Sequence, residues 1–153
     1  MMKEKNKNLL VFVRHGHREK LGADNGLSPK GFTQVEDLLR NFKKGRLPES
    51  KNFWSSPKKR CVETLEPLAK LAGATLKVEK LLDEQGAGES TLQFNKRIME
   101  LLKKATETGE PVYLCSHGDL IPEAIDFLSG KVVDISKGQA IQLTNSEGHW
   151  DLL

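Results

Sequence analysis

Two rhythms of apolar and polar positions alternate along this chain. Leu9–Val13 is continuously apolar, as expected of a strand buried on both faces. Phe32, Val35, Leu38, Leu39 and Phe42 then recur at helical spacing, with Ser28 placed as N-cap, Pro29 at the first helical position and Gly45 as the stop. The cycle repeats: Lys51–Ser55 reads as a strand and Ser56-Pro57 as a helix opening. Val62, Leu65, Leu68, Ala69 and Ala72 form the next apolar stripe, up to Gly73. Pro67 falls inside that stripe and removes a backbone donor, so a kink is expected there. Thr75–Glu79 reads as a third strand. Ser90 and Gln93 fit a capping box ahead of Phe94, Ile98, Leu101, Leu102 and Ala105, with Gly109 closing the helix. Val112–Cys115 is the next strand, and Asp119 is expected to cap a helix carrying Leu120, Ala124, Ile125 and Leu128 to Gly130. Gln139–Thr144 and His149–Leu152 read as late strands, an edge pair.

Strands alternating with helices predict an α/β fold, a three-layer α/β/α sandwich around a mainly parallel sheet. No repeat or linker interrupts the pattern, so residues 1–153 read as one domain.

Composition then narrows the function classes. The 37% hydrophobic and 29% charged content is that of an ordinary soluble globule. A net charge of +3 suits anionic ligands but is too weak to argue for a nucleic-acid polymer. The apolar run ending at Arg14 is too short for a signal-peptide core, and no stretch is long enough to span a bilayer, so no membrane partner is expected. Cys61 and Cys115 do not make a disulfide framework; Cys115 reads as a small core residue, and the cytoplasm is the expected compartment.

The candidate chemistry lies where strands end. Val11-Phe12-Val13 runs into Arg14-His15-Gly16, and Val112-Tyr113-Leu114-Cys115 runs into Ser116-His117-Gly118. Between them, Ser55-Ser56-Pro57 leads to Arg60. Open α/β sheets place ligands at the carboxyl ends of their strands, so two histidines and two arginines are expected to share one site. Arginine binds two phosphate oxygens with its planar fork and stays charged. A neutral imidazole is a competent nucleophile towards phosphorus. His15 fits that role, with Gly16 allowing close backbone approach, while His117 fits a protonated donor to phosphate oxygens. His17, Arg18 and Asn25 are candidate substrate contacts around the mouth, and Gly118 beside His117 another. No carboxylate or cysteine set completes His15 and His17 as a metal site, so no metal and no organic cofactor are expected.

Arg14-His15-Gly16, the Leu27-Ser28-Pro29-Lys30-Gly31 turn, Ser55-Ser56-Pro57 leading to Arg60, and Ser116-His117-Gly118 resemble the histidine phosphatase superfamily, also called phosphoglycerate-mutase-like. The resemblance runs from about Leu9 to Gly130. It implies a phosphoglycerate-mutase-like α/β fold with a mixed sheet, a phosphorylated nucleophile at His15, and a phosphate pocket made by Arg14, Arg60 and His117. Glu84, in Leu82-Asp83-Glu84, matches the place of the family's acidic residue and is the candidate general acid; Asp119 reads as a helix cap instead. The short interval between Arg60 and His117 leaves little room for a lid, which resembles the SixA-type phosphohistidine phosphatases. The partner implied is then a phosphorylated protein. The runs Arg60–Pro67 and Cys115–Pro122 also resemble phosphatase domains found beside Nudix domains, so a small phosphorylated substrate such as a nucleotide, or a phosphate-binding module without turnover, stays open. The sequence does not specify an oligomeric state.

Overall fold

The computed structural model describes residues 9–20, 22 and 24–153. Its strands are β1 (Leu9–Arg14), β2 (Asn52–Ser55), β3 (Leu76–Val78), β4 (Val112–Ser116), β5 (Ala140–Ser146) and β6 (His149–Leu152). They form one mixed sheet in the order β3-β2-β4-β1-β5-β6. β3, β2, β4 and β1 are parallel neighbours, whereas β5 runs antiparallel to β1, and β6 antiparallel to β5. Parallel neighbours need crossover connections. The helices α1 (Pro29–Lys43), α2 (Lys59–Leu71) and α3 (Thr91–Thr106) provide them, and α4 (Leu120–Ser129) leads from β4 towards β5.

The central strand shows why its sequence does not alternate. Leu10 and Phe12 face one core with Phe94, Ile98 and Leu101 of α3 and Ile121 and Ile125 of α4. Val11 and Val13 face a second core with Leu38 of α1 and Cys61, Leu65 and Leu68 of α2. Two apolar layers on one sheet make the three-layer sandwich that the rhythm predicts. Cys115 is a buried free thiol in the second core.

Most element ends follow local chemistry. Ser28 caps α1 by accepting from the Gly31 N–H, and Ser90 with Gln93 completes a capping box on α3. Two expected ends differ. Ser56-Pro57 does not open α2, which starts at Lys59 behind an N-cap Lys58 with no side-chain cap. Asp119 holds the N-cap position of α4 without capping it, because its carboxylate accepts the Gln85 N–H across the chain at 3.0 Å. Nor does Pro67 interrupt α2, which continues through it to Leu71.

Candidate active site

Strand register levels the carboxyl ends. Arg14 pairs with Ser116, and Ser55 with Cys115, so the residues following β1, β2 and β4 emerge side by side. The edge is stitched further by His15 N–H donating to the Ser116 carbonyl at 3.2 Å and Ser56 N–H to the Cys115 carbonyl at 3.0 Å. Loop positions far apart in sequence are thereby held on rigid elements.

His15 is buried, with 5% of its surface exposed. Its Nδ1 lies 2.8 Å from the Gly16 carbonyl, which can only accept, so Nδ1 carries the proton and Nε2 keeps the lone pair. Burial is the main cause that lowers its pKa to about 3; the neighbouring His117 ring and the Arg60 and Arg14 guanidinium groups add to it, against the Gly16 hydrogen bond. The ring is thus neutral, with its free nitrogen fixed. The His117 ring stands edge-on to it, with centroids 5.3 Å apart.

The two arginines converge on the same edge with unused donors. Arg60 is 2% exposed, yet only Nη2 is engaged, donating to Glu84 Oε1 at 3.0 Å and facing His117 Nδ1 at 3.5 Å. Arg14 Nη1 donates to the Ile135 carbonyl at 2.9 Å. Arg14 Nε, Arg60 Nε and Arg60 Nη1 are buried without a partner, and among the described residues they are the only buried side-chain nitrogen or oxygen atoms in that state. A buried donor left unmade costs about 1–3 kcal/mol, so three on two neighbouring guanidinium groups mark a place for an oxyanion.

Around this cluster the remaining predicted residues divide. Glu84 joins it through Arg60, with its carboxylate 40% exposed. Gly118 lies against the Arg14 guanidinium, where a Cβ would come within 2.7 Å of Arg14 Cζ. Gly16 donates its N–H to Thr64 Oγ1 at 3.0 Å, and its missing Cβ makes room for the Gly31 carbonyl of α1, which one would meet at 3.1 Å. His17 is tied into the scaffold: its N–H donates to Gln34 Oε1 at 2.7 Å and its Nδ1 lies 2.6 Å from Ser28 Oγ. Arg18 bridges Leu27 through the backbone. Asn25 is buried and donates its amide to the Glu19 carbonyl, closing its own loop. Sequence reasoning missed Ser56, Thr64 and Asp83. Ser56 Oγ lies 2.9 Å from His117 Nε2, and Asp83 Oδ1 lies 3.7 Å from the same nitrogen. A groove of about 730 Å³ opens beside Glu84, lined in part by Lys80, Leu81, Asp83, Gln93 and Lys96. Among the described residues, no helix is long and apolar enough to cross a membrane.

Residues 10–89, more than half of the chain, match the model of the histidine phosphatase superfamily (branch 1), and the chain belongs to that family. Its fold is the phosphoglycerate-mutase-like α/β fold. Over 124 residues it is 27% identical to an 8-oxo-(d)GTP phosphatase of Mycolicibacterium smegmatis, covering 77% of this chain but only 36% of that protein's length. Its fold is similar to that of the protein histidine phosphatase SixA complexed with tungstate (TM-score 0.76, 21% identity, 95% of this chain and 94% of that one). It is equally similar to a mycobacterial glucosyl-3-phosphoglycerate phosphatase in complex with VO3 (TM-score 0.77, 20% identity, 95% and 97% covered).

Proposed function

We propose that this chain is a phosphatase that works without a metal, through a phosphohistidine at His15. The observation that carries the reading is the set of three unpartnered guanidinium nitrogens beside a neutral histidine. Arg14, Arg60 and His117 hold the phosphoryl oxygens, where positioning and charge stabilisation supply most of the catalysis. His15 Nε2 attacks phosphorus as the bond to the leaving group breaks. Glu84 gives the leaving atom its proton, then takes one from the water that hydrolyses the phosphohistidine. Gly16 and Gly118 admit the phosphoryl group and the Arg14 fork, while His17, Arg18 and Asn25 act by holding the rim.

Phosphohistidine on a partner protein is the preferred substrate. β3, a turn at Lys80–Leu82 and α3 occupy most of the chain between α2 and β4, and only the short 83–90 loop is left to flank the site. An open site of this kind suits a side chain presented by another protein, and two buried free thiols suit the cytoplasm. A nucleotide or other small phosphomonoester is the second reading, favoured by Glu84 on Arg60, since an alkoxide needs a proton more than an imidazole does.

The test is hydrolysis of an aryl phosphate in excess chelator by wild type and His15→Ala. Wild type alone should turn over; equal rates from the two would overturn the mechanism. A panel of phosphohistidine proteins, nucleotides and sugar phosphates then decides the substrate. Brisk hydrolysis of a nucleotide with none of phosphohistidine would replace the first reading by the second.

A further inference from the structure

The two nitrogens of His117 face groups of opposite kind. Nε2 lies 2.9 Å from Ser56 Oγ, 3.6 Å from Cys61 Sγ and 3.7 Å from Asp83 Oδ1. Nδ1 lies 3.5 Å from Arg60 Nη2. A guanidinium donates and never accepts, so Nδ1 keeps its lone pair and the proton of the neutral ring sits on Nε2. The neighbours of Nε2 agree with this. Ser56 Oγ already accepts the Lys58 N–H at 3.3 Å, and the Cys61 thiol has its own acceptor in the Ser116 carbonyl at 3.8 Å.

We propose that Asp83, together with Ser56, is a positioning residue that fixes this tautomer and balances the charge His117 gains when a phosphoryl group enters. The proposal rests on the reading of the pocket as a phosphoryl site. As it stands, Nδ1 would turn a lone pair towards an incoming oxyanion. When the anion takes over the donors of Arg60, Nδ1 must gain one proton, from solvent or from a monoanionic ligand, and donate it to a phosphate oxygen. That N–H bond forms as an O–H bond of the solvent or of the ligand breaks.

The charge so created lies among two guanidinium groups, a neutral imidazole, a cysteine and two carboxylates. Arg14 and His15 face it from the end of β1, Arg60 and Cys61 from α2, and Asp83 and Glu84 from the 83–90 loop. Glu84 is engaged by Arg60, which leaves Asp83 as the carboxylate on the ring itself. Asp83 is held there by the Glu84 N–H on Oδ1 at 2.8 Å and by Lys58 Nζ near Oδ2 at 3.3 Å. The arrangement follows the logic by which a buried carboxylate orients a catalytic imidazole and stabilises its charged form.

The experiment compares full-length wild type, Asp83→Asn and Ser56→Ala, labelled with 15N-histidine, at pH 8 with and without inorganic phosphate. Long-range proton–nitrogen spectra read the tautomer of His117, and calorimetry in two buffers counts protons taken up on binding. Wild type should show Nε2 protonated and Nδ1 bare when free, and both protonated with phosphate bound. Asp83→Asn keeps the shape and the Glu84 contact, so its expected signature is a mixed tautomer, reduced proton uptake and phosphate affinity weaker by about tenfold to a hundredfold. Ser56→Ala should move the tautomer the same way by less. A proton on Nδ1 in free wild type, or an Asp83→Asn ring and proton count that match wild type, would overturn the proposal. Absence of phosphate binding to wild type would instead overturn the reading of the pocket, while the free-state tautomers would still judge the role of Asp83.

Discussion

Arg97 and Arg60 are both withdrawn from solvent, and both reach the same glutamate, yet their surroundings differ completely. Arg97 spends all three nitrogens on the chain: Nε and Nη2 on the Glu89 carboxylate at 2.9 and 2.8 Å, Nη1 on the Leu81 and Asp83 carbonyls at 2.8 Å each, and Nη2 again on the Glu84 carbonyl at 3.1 Å. It holds Glu89 at about 2, well below the ordinary carboxylate value. Arg60 holds the Glu84 side chain with Nη2 and leaves Nε and Nη1 bare. One arginine finishes the fold of the 83–90 loop; the other is left incomplete by the fold. A desolvated cation with two bare nitrogens is tolerated where an anion completes it, and that difference separates scaffold from site.

Removing each arginine should therefore have opposite consequences. Arg60→Met should cut kcat/KM by at least about 10²–10³-fold while the thermal midpoint holds or rises, since a buried, incompletely satisfied charge is replaced by an apolar side chain of similar reach and the Glu84 carboxylate released is 40% exposed. Arg60→Lys should not restore activity, because the planar fork is lost. Gly118→Ala comes next, because its Cβ would push into Arg14, 2.7 Å from Cζ. Activity should fall about tenfold to a hundredfold through misplaced donors, with stability changed by less than about 1 kcal/mol. Arg97→Ala should reverse the pattern, losing roughly 2 kcal/mol of stability from its stranded carbonyl and carboxylate partners and only about tenfold in rate as Glu84 loosens. Steady-state kinetics and thermal melts on the four variants check this. An unfolded Arg60→Met beside a fully stable Arg97→Ala would erase the contrast.

A further expected effect, on stability alone, is a pH dependence from His15. Its folded value of about 3 lies below the unfolded 6.5, so the unfolded chain binds the proton first as pH falls. That contribution is complete above pH 6.5 and is lost progressively towards pH 3. Denaturant unfolding of wild type and His15→Asn should show wild type losing about 2 kcal/mol more between pH 6.5 and 4.5. Parallel losses would mean that the ring is not held neutral.

Much of this was readable before any coordinates. The two-sided apolar run of β1, the Ser28 cap and the Ser90–Gln93 box are local patterns, and the structure repeats them. Arg14, His15, Arg60 and His117 were legible because each sits where a predicted strand gives way to a turn or a helix start. What stayed hidden has a common cause. Ser56 and Asp119 look like helix caps in sequence, but their side chains bind His117 and Gln85, partners 61 and 34 positions away. Thr64 and Asp83 likewise act across the fold, on Gly16 and His117, and no local pattern announces such contacts. Gly16 reads as room for close backbone approach to a phosphate, yet its missing Cβ serves the close pass of the Arg14-His15-Gly16 loop over α1.

The central claim is that His15 Nε2 takes the phosphoryl group held by the two arginines. It is tested most directly by trapping the protein during turnover under alkaline conditions, which preserve a P–N bond, and mapping the phosphate by mass spectrometry. The account predicts phosphate on the peptide containing His15 in wild type, accumulating further in Glu84→Gln with a poorer base for hydrolysis, and absent in His15→Ala. Active wild type with no phosphate on His15, or with phosphate on another residue, would contradict it.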